Sequence, residues 1–158
     1  MAAMTPEQAA DQLEIGQVLQ RYGQALDEKR YELLDRVFTV GADLQYDFGG
    51  GGRFTYPDMV KTFREWLAPM YYTQHMFSPP IVELAGDRAQ TRCRLIALHV
   101  QRTPAGESRD FTVYGFYQDD LVRTPDGWRI EKRLFKGMHT EGEPLPPDRA
   151  ERFDKAPF

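Results

Sequence analysis

The chain has a single cysteine, Cys93, and three histidines among its 158 residues. One cysteine excludes an internal disulfide. With no Cys pair, no H-E-x-x-H, and histidines separated by 23 and 39 residues, the sequence has no zinc-ligand spacing. No metal is therefore expected. Basic side chains are outnumbered, 20 against 24 acidic, giving a net charge of −4. No Lys/Arg cluster concentrates enough positive charge to neutralise phosphates, which argues against a nucleic-acid partner. There is no long apolar run for a membrane span, and "MAAMTPEQAADQ" has neither a basic nor an apolar leader segment. A cytoplasmic location is the expectation. No G-x-S-x-G occurs, and Ser78 is followed by two prolines, so a serine nucleophile is excluded. "GGGG" at Gly49 to Gly52 lacks the Lys-Ser/Thr ending of a phosphate loop and reads as a turn. There are no internal repeats.

What is present is an ordinary globular composition, 41% hydrophobic and 28% charged, sufficient for one core. Aromatics reach 13%. They either fill that core or line a pocket for a flat apolar ligand, and composition by itself favours the core.

"TPEQ" at Thr5 to Gln8 combines a capping box with proline at the first helical position, so a helix is predicted from Pro6 to Asp27. Its buried stripe is Ile15, Val18, Leu19, Tyr22 and Leu26. A short helix with Tyr31, Leu34, Val37 and Phe38 follows. "ADLQYDF" then alternates as a strand, with Leu44, Tyr46 and Phe48 on one side. "TYPDMVKTFREWLAPM" predicts another helix, with Val60, Phe63, Leu67 and Met70 inward. Four long strands are expected over Tyr72 to Leu84, Arg88 to Arg102, Arg109 to Arg123 and Gly127 to Met138, separated by turn signals. Helices first and a long meander after predict an α+β fold, with helices packed on a strongly curved antiparallel sheet. Residues 1–140 form one domain in this reading, and the proline-rich residues 141–158 an irregular extension.

The helix poses a chemical question. Tyr22 faces the core with a hydroxyl that needs a partner, and Asp27, about 140° further round, falls at the edge of the same stripe. A hollow under a curved sheet would give both somewhere to point. His75 opens the second half of the chain. His99 shares the mostly small or apolar face of Ala89, Thr91, Cys93, Leu95 and Ala97. Either histidine on its own is more simply a core residue bonded to a backbone carbonyl. The chemistry left open is proton transfer by histidine, oriented by a carboxylate, with phenols as donors. Phe48, Phe63, Leu95 and Ala97 are the candidate apolar wall, which suits a small apolar or aromatic ligand such as a steroid or polyketide.

"RYGQALDEKRYELLDRVFT", "TQH" and "YGFYQDDLVRTPDGWRIEKR", in this order, resemble the SnoaL-like branch of the nuclear transport factor 2-like superfamily over nearly the whole chain. The resemblance implies a cone-shaped roll, or α+β barrel, of cystatin-like type. Among its members the sequence looks most like the small lyases scytalone dehydratase, bile acid 7α-dehydratase and hexachlorocyclohexane dehydrochlorinase. It implies a cofactor-independent dehydratase in which Asp27 and His75 form the base, with Tyr22 as its phenol. Tyr46 is a candidate second phenol. His99 resembles the second histidine of scytalone dehydratase. Arg133 falls where several relatives place a pocket arginine, although alternation from Trp128 and Ile130 points it to the other face unless a bulge intervenes. "SPP" after His75 departs from the asparagine-containing turn of relatives. The superfamily also holds isomerases, cyclases and non-catalytic small-molecule-binding domains, which stay open as alternatives. Ile96, Leu98 and Val100, opposite His99, predict an apolar outer patch and a homo-oligomer, and the resemblance favours a trimer over a dimer.

Overall fold

The computed structural model describes residues 3–158. Helix α1 runs Pro6–Asp27, with the capping box formed: the Gln8 N–H donates to the Thr5 hydroxyl (3.2 Å) and the Thr5 N–H to Gln8 Oε1 (3.0 Å). All five predicted stripe residues are buried. The helix start is clamped to the far end of the sheet. Asp11 accepts from Arg123 through both carboxylate oxygens and from the Trp128 indole, and Glu14 accepts from the Trp128 N–H.

Residues Tyr31–Arg36 form a 3₁₀ helix, and Phe38 already belongs to strand β1 (Phe38–Asp47), so the predicted second α-helix is corrected. Gly49 and Gly50 take positive φ, 59° and 76°, and turn the chain into β2 (Gly52–Thr55), too short and glycine-rich to show an alternation of its own. Helix α2 (Tyr56–Leu67) buries Met59, Phe63 and Leu67; Val60 is half-buried and Met70 is buried beyond the helix end. The single strand predicted over Tyr72 to Leu84 is two, β3 (Tyr72–Phe77) and β4 (Ile81–Ala85), both paired with β5 (Arg88–Arg102). Pro79 and Pro80 have no N–H to give the ladder, so it breaks between them. Strands β6 (Ser108–Thr124) and β7 (Gly127–Gly142) complete the meander.

The sheet order is β2-β1-β7-β6-β5-β3, antiparallel except where β1 joins β7, and β4 extends the β5 edge. Its ends, β2 and β3, do not pair, so the sheet is open rather than closed into a barrel. The helices do the covering instead: α1 packs against β3 and β7, and α2 against β1. Between β6 and β7 the register shifts, with Leu121 opposite Ile130 but Asp120 opposite Lys132. Glu131 is the extra residue. This bulge resets the alternation and turns Arg133 onto the same inner face as Trp128 and Ile130, where all three are buried. After β7 the chain carries no further helix or strand. It crosses the sheet end instead, tied by hydrogen bonds from the Leu145 N–H to Gln101 Oε1, the Glu151 N–H to the Arg102 carbonyl and the Phe153 N–H to the Ala68 carbonyl.

Candidate active site

Two elements build the site. Helix α1 ends with Asp27, and the neighbouring β3 presents Thr73, His75 and Phe77 on its inner face. Gly23 sets their separation: a Cβ there would lie 2.7 Å from the Phe77 ring and 3.5 Å from His75 Cβ, so only glycine lets the helix lie this close to β3 unaltered.

Asp27 receives three hydrogen bonds. The Thr73 hydroxyl (2.8 Å) and His75 Nδ1 (2.6 Å) reach Oδ1, and the His75 backbone N–H (2.8 Å) reaches Oδ2. Burial pushes the carboxyl up, but the bonds from His75 and Thr73 outweigh it and hold it below the ordinary aspartate value. An ionised Asp27 can only accept, so Nδ1 carries a proton in this contact and the lone pair of the neutral imidazole is on Nε2. A histidine held in this tautomer by a carboxylate is a competent general base.

Behind the dyad lies an aromatic cluster. The Tyr22 ring stands edge-on to His75 (6.4 Å), and its hydroxyl is 2.9 Å from that of Tyr46 and 3.3 Å from that of Tyr117. Burial raises the pKa of all three phenols, which stay protonated. Three phenols carry three O–H hydrogens, while the two contacts use two, so one donor remains over in the cluster. Arg133 lies against it, its guanidinium carbon 4.2 Å from the Tyr22 ring centroid and 4.1 Å from that of Tyr117. Arg133 is held by two parallel 2.7 Å hydrogen bonds to Asp119, and neither side chain reaches solvent. Burial works against the guanidinium charge, but Asp119 outweighs it and raises the Arg133 pKa further. Burial also pushes the Asp119 carboxyl up; with an always-charged partner in bidentate contact, the pair is ionised.

Of the predicted site residues, the structure brings Asp27 and His75 together at a groove, while Tyr22, Tyr46 and Arg133 gather behind them, buried and outside the groove lining. Phe63 touches both Tyr22 and Tyr46 but is packed in the core with Leu95 and Ala97, and Phe48 sits further out against Phe135. The expected apolar wall is thus corrected: the groove of about 460 Å³ that reaches Asp27 and His75 is lined largely by polar side chains of α1, with Phe158 opposite. Its polar character follows from α1, whose apolar stripe is spent on the core. His139 is exposed on the outer face beside Tyr114. Thr73, Tyr117 and Asp119 were not singled out as site residues from sequence. Alternation along β6 from Tyr117 through Asp119 to the buried Leu121 was the available signal.

His99 stacks on Phe111 (4.6 Å between centroids) and stands edge-on to His75 (5.8 Å). Its Nδ1 is buried without a hydrogen-bond partner. Burial, aided by His75, lowers its pKa to about 3. In the unfolded chain it titrates near 6.5. The folded state thus resists a proton that the unfolded state accepts, and this contribution, fully present above about pH 6.5, is lost as pH falls toward 3. Urea unfolding should show about 2 kcal/mol of this loss between pH 7 and 5. His99→Gln should flatten that slope, and an unchanged slope would contradict the assignment.

A family model for the SnoaL-like domain matches residues 7–134. An uncharacterized Mycobacterium tuberculosis protein, Rv2910c, is 36% identical over 126 residues, covering 79% of this chain and 84% of its own. Among solved structures, the Kfla4162 protein of Kribbella flavida superposes with a TM-score of 0.77 at 26% identity, covering 84% of this chain and 94% of that one. A scytalone dehydratase-like protein of Novosphingobium aromaticivorans gives 0.68 at 22% identity, over 94% and 96% of the two chains. The type 2 hexachlorocyclohexane dehydrochlorinase LinA gives 0.72 at 16%, over 89% and 97%. Both of the last two share the fold. A nuclear transport factor 2-like superfamily protein of Salmonella enterica shares the fold at 17% identity, with a TM-score of 0.69. With most of its length matched by the domain model and a relative above one-third identity, the chain belongs to the SnoaL-like family.

Proposed function

We propose that the protein is a cofactor-independent lyase, a dehydratase that eliminates water from a ring-bearing substrate such as a steroid or polyketide. The observation that carries this reading is the 2.6 Å contact between Asp27 and His75 Nδ1, which puts the lone pair of the neutral imidazole on Nε2. Nε2 takes a proton from a carbon next to a carbonyl, and Asp27 stabilises the imidazolium. The surplus phenolic O–H of the Tyr22–Tyr46–Tyr117 cluster donates to the oxygen on which charge builds up. The carbon–oxygen bond to the leaving hydroxyl then breaks as the imidazolium returns its proton, releasing water and restoring neutral His75. Protein side chains suffice for each step. Arg133 and His99 shape the polar and aromatic surroundings of the base.

An isomerase or cyclase would use the same base without a leaving group. A non-catalytic binding domain is favoured by one observation, that the His75 side chain is only 6% exposed. The deciding experiment is a screen of β-hydroxy ketones and hydroxylated steroid or polyketide intermediates for loss of water, followed by variants of the dyad on any hit. Turnover as fast in His75→Ala as in the parent would make the dyad structural.

We place the protein in the cytoplasm as a homo-oligomer, a trimer in preference to a dimer. On the outer face of the sheet Ile96 pairs with Met76 and Tyr114, and Ile96 and Met76 remain exposed. Light scattering at micromolar concentration should give three times the 18.3 kDa chain mass; a monomer would contradict this.

A further inference from the structure

The groove that reaches the dyad contains a cation with nothing to do. Arg21 is half-buried on its α1 wall, yet its guanidinium makes no hydrogen bond or ion pair among the described residues. The carboxylates nearby are taken. Asp27 accepts from His75 and Thr73, while Glu28 accepts from Gln24 (3.0 Å) and Arg30 (3.3 Å). The helix neighbours of Arg21 along the same wall, Gln17 and Gln24, are neutral amides four and three residues away, so neither offers it a counter-ion. The planar fork of the Arg21 guanidinium matches a carboxylate. Across the groove, Phe158 offers a largely exposed aromatic face (74%) beside Tyr72.

We propose that Arg21 is the anion-binding residue of this groove, and that the molecule presented to His75 is an organic carboxylate with a flat apolar body. The carboxylate docks on Arg21, with the Gln17 amide within the same wall, and the ring lies toward Phe158. This rests on reading the dyad groove as the substrate site, and narrows the substrate from ring-bearing to ring-bearing and acidic.

The test uses two probes of one shape, 2-naphthoate and 2-naphthamide, titrated calorimetrically into the full chain. Wild type should bind the carboxylate about tenfold more tightly than the amide, the size of one charge-assisted hydrogen-bonding contact. Arg21→Gln should erase that preference, Arg21→Lys should keep part of it, and Arg30→Gln, which removes an exposed cation of the same helix end, should leave it intact. Equal affinities in wild type, no binding of either probe, or a preference that survives Arg21→Gln would each overturn the assignment. So would a preference lost equally in Arg30→Gln, which would mark general charge attraction. Because the readout is binding, it separates from the lyase reading. If the preference depends on Arg21 but no turnover depends on His75, the groove binds carboxylates and the catalytic reading falls; the reverse pattern removes only the role of Arg21.

Discussion

His75→Ala is expected to abolish nearly all turnover of any substrate the protein dehydrates, because Nε2 carries the imidazole lone pair that takes the proton, while the Asp27 oxygens are engaged by Thr73 and His75. Asp27→Asn should retain the fold and cost roughly 10⁴-fold in kcat, by analogy with other histidines whose carboxylate partner becomes an amide. The reason lies in the tautomer. An amide can offer its N–H to Nδ1, which moves the imidazole proton to Nε2 and removes the base. The His75 N–H would still donate to the remaining oxygen, at the position of Oδ2, while the Thr73 hydroxyl, which faces the replaced Oδ1, would turn from donor to acceptor of the amide N–H. Tyr22→Phe should cost less, about 10²–10³-fold, the loss of one donor to a developing oxyanion. Steady-state kinetics of the three variants check this graded pattern, and equal losses in all three would point to collapse of the site.

The second large effect is on stability. Asp119→Asn should destabilise the protein by about 3–5 kcal/mol, because it leaves the Arg133 charge buried without its partner. Arg133→Met should be comparably costly through Asp119. The two together, as Asp119→Leu with Arg133→Met, should recover much of the loss, since neither charge is then stranded. The double variant would also lose the cation against the Tyr22 and Tyr117 rings. Urea unfolding measures all three; strictly additive losses would mean the pair is not coupled.

How far these residues could be found from sequence differs for physical reasons. Helix α1 was legible to both ends because its capping box, apolar stripe and polar flank agree with one another. Asp27 at the stripe edge was visible as an anomaly, but its pairing with His75, 48 residues away, is a tertiary contact that periodicity does not encode; only the family resemblance suggested it. Arg133 was ambiguous because strand alternation holds only while the register does, and the bulge at Glu131 reverses it. Asp119, directly opposite Arg133 in the ladder, escaped notice since an acidic pair, Asp119–Asp120, reads as a solvated edge before one knows which member turns inward. The two-proline break after His75 was seen as a departure from relatives but not as the end of a strand. The groove was least legible of all. It depends on where α1, β3 and the tail meet, and no single segment carries that information.

In the proposed reaction His75, oriented by Asp27, removes a proton from carbon. The most direct measurement follows exchange of the α-hydrogens of a β-hydroxy ketone hit in deuterium oxide by proton NMR, comparing wild type with His75→Ala and Asp27→Asn. It registers proton abstraction whether or not water then leaves. Rapid exchange is expected with the wild-type protein, none above background with His75→Ala and a residual rate with Asp27→Asn. Exchange as fast in His75→Ala as in wild type would contradict this role of His75.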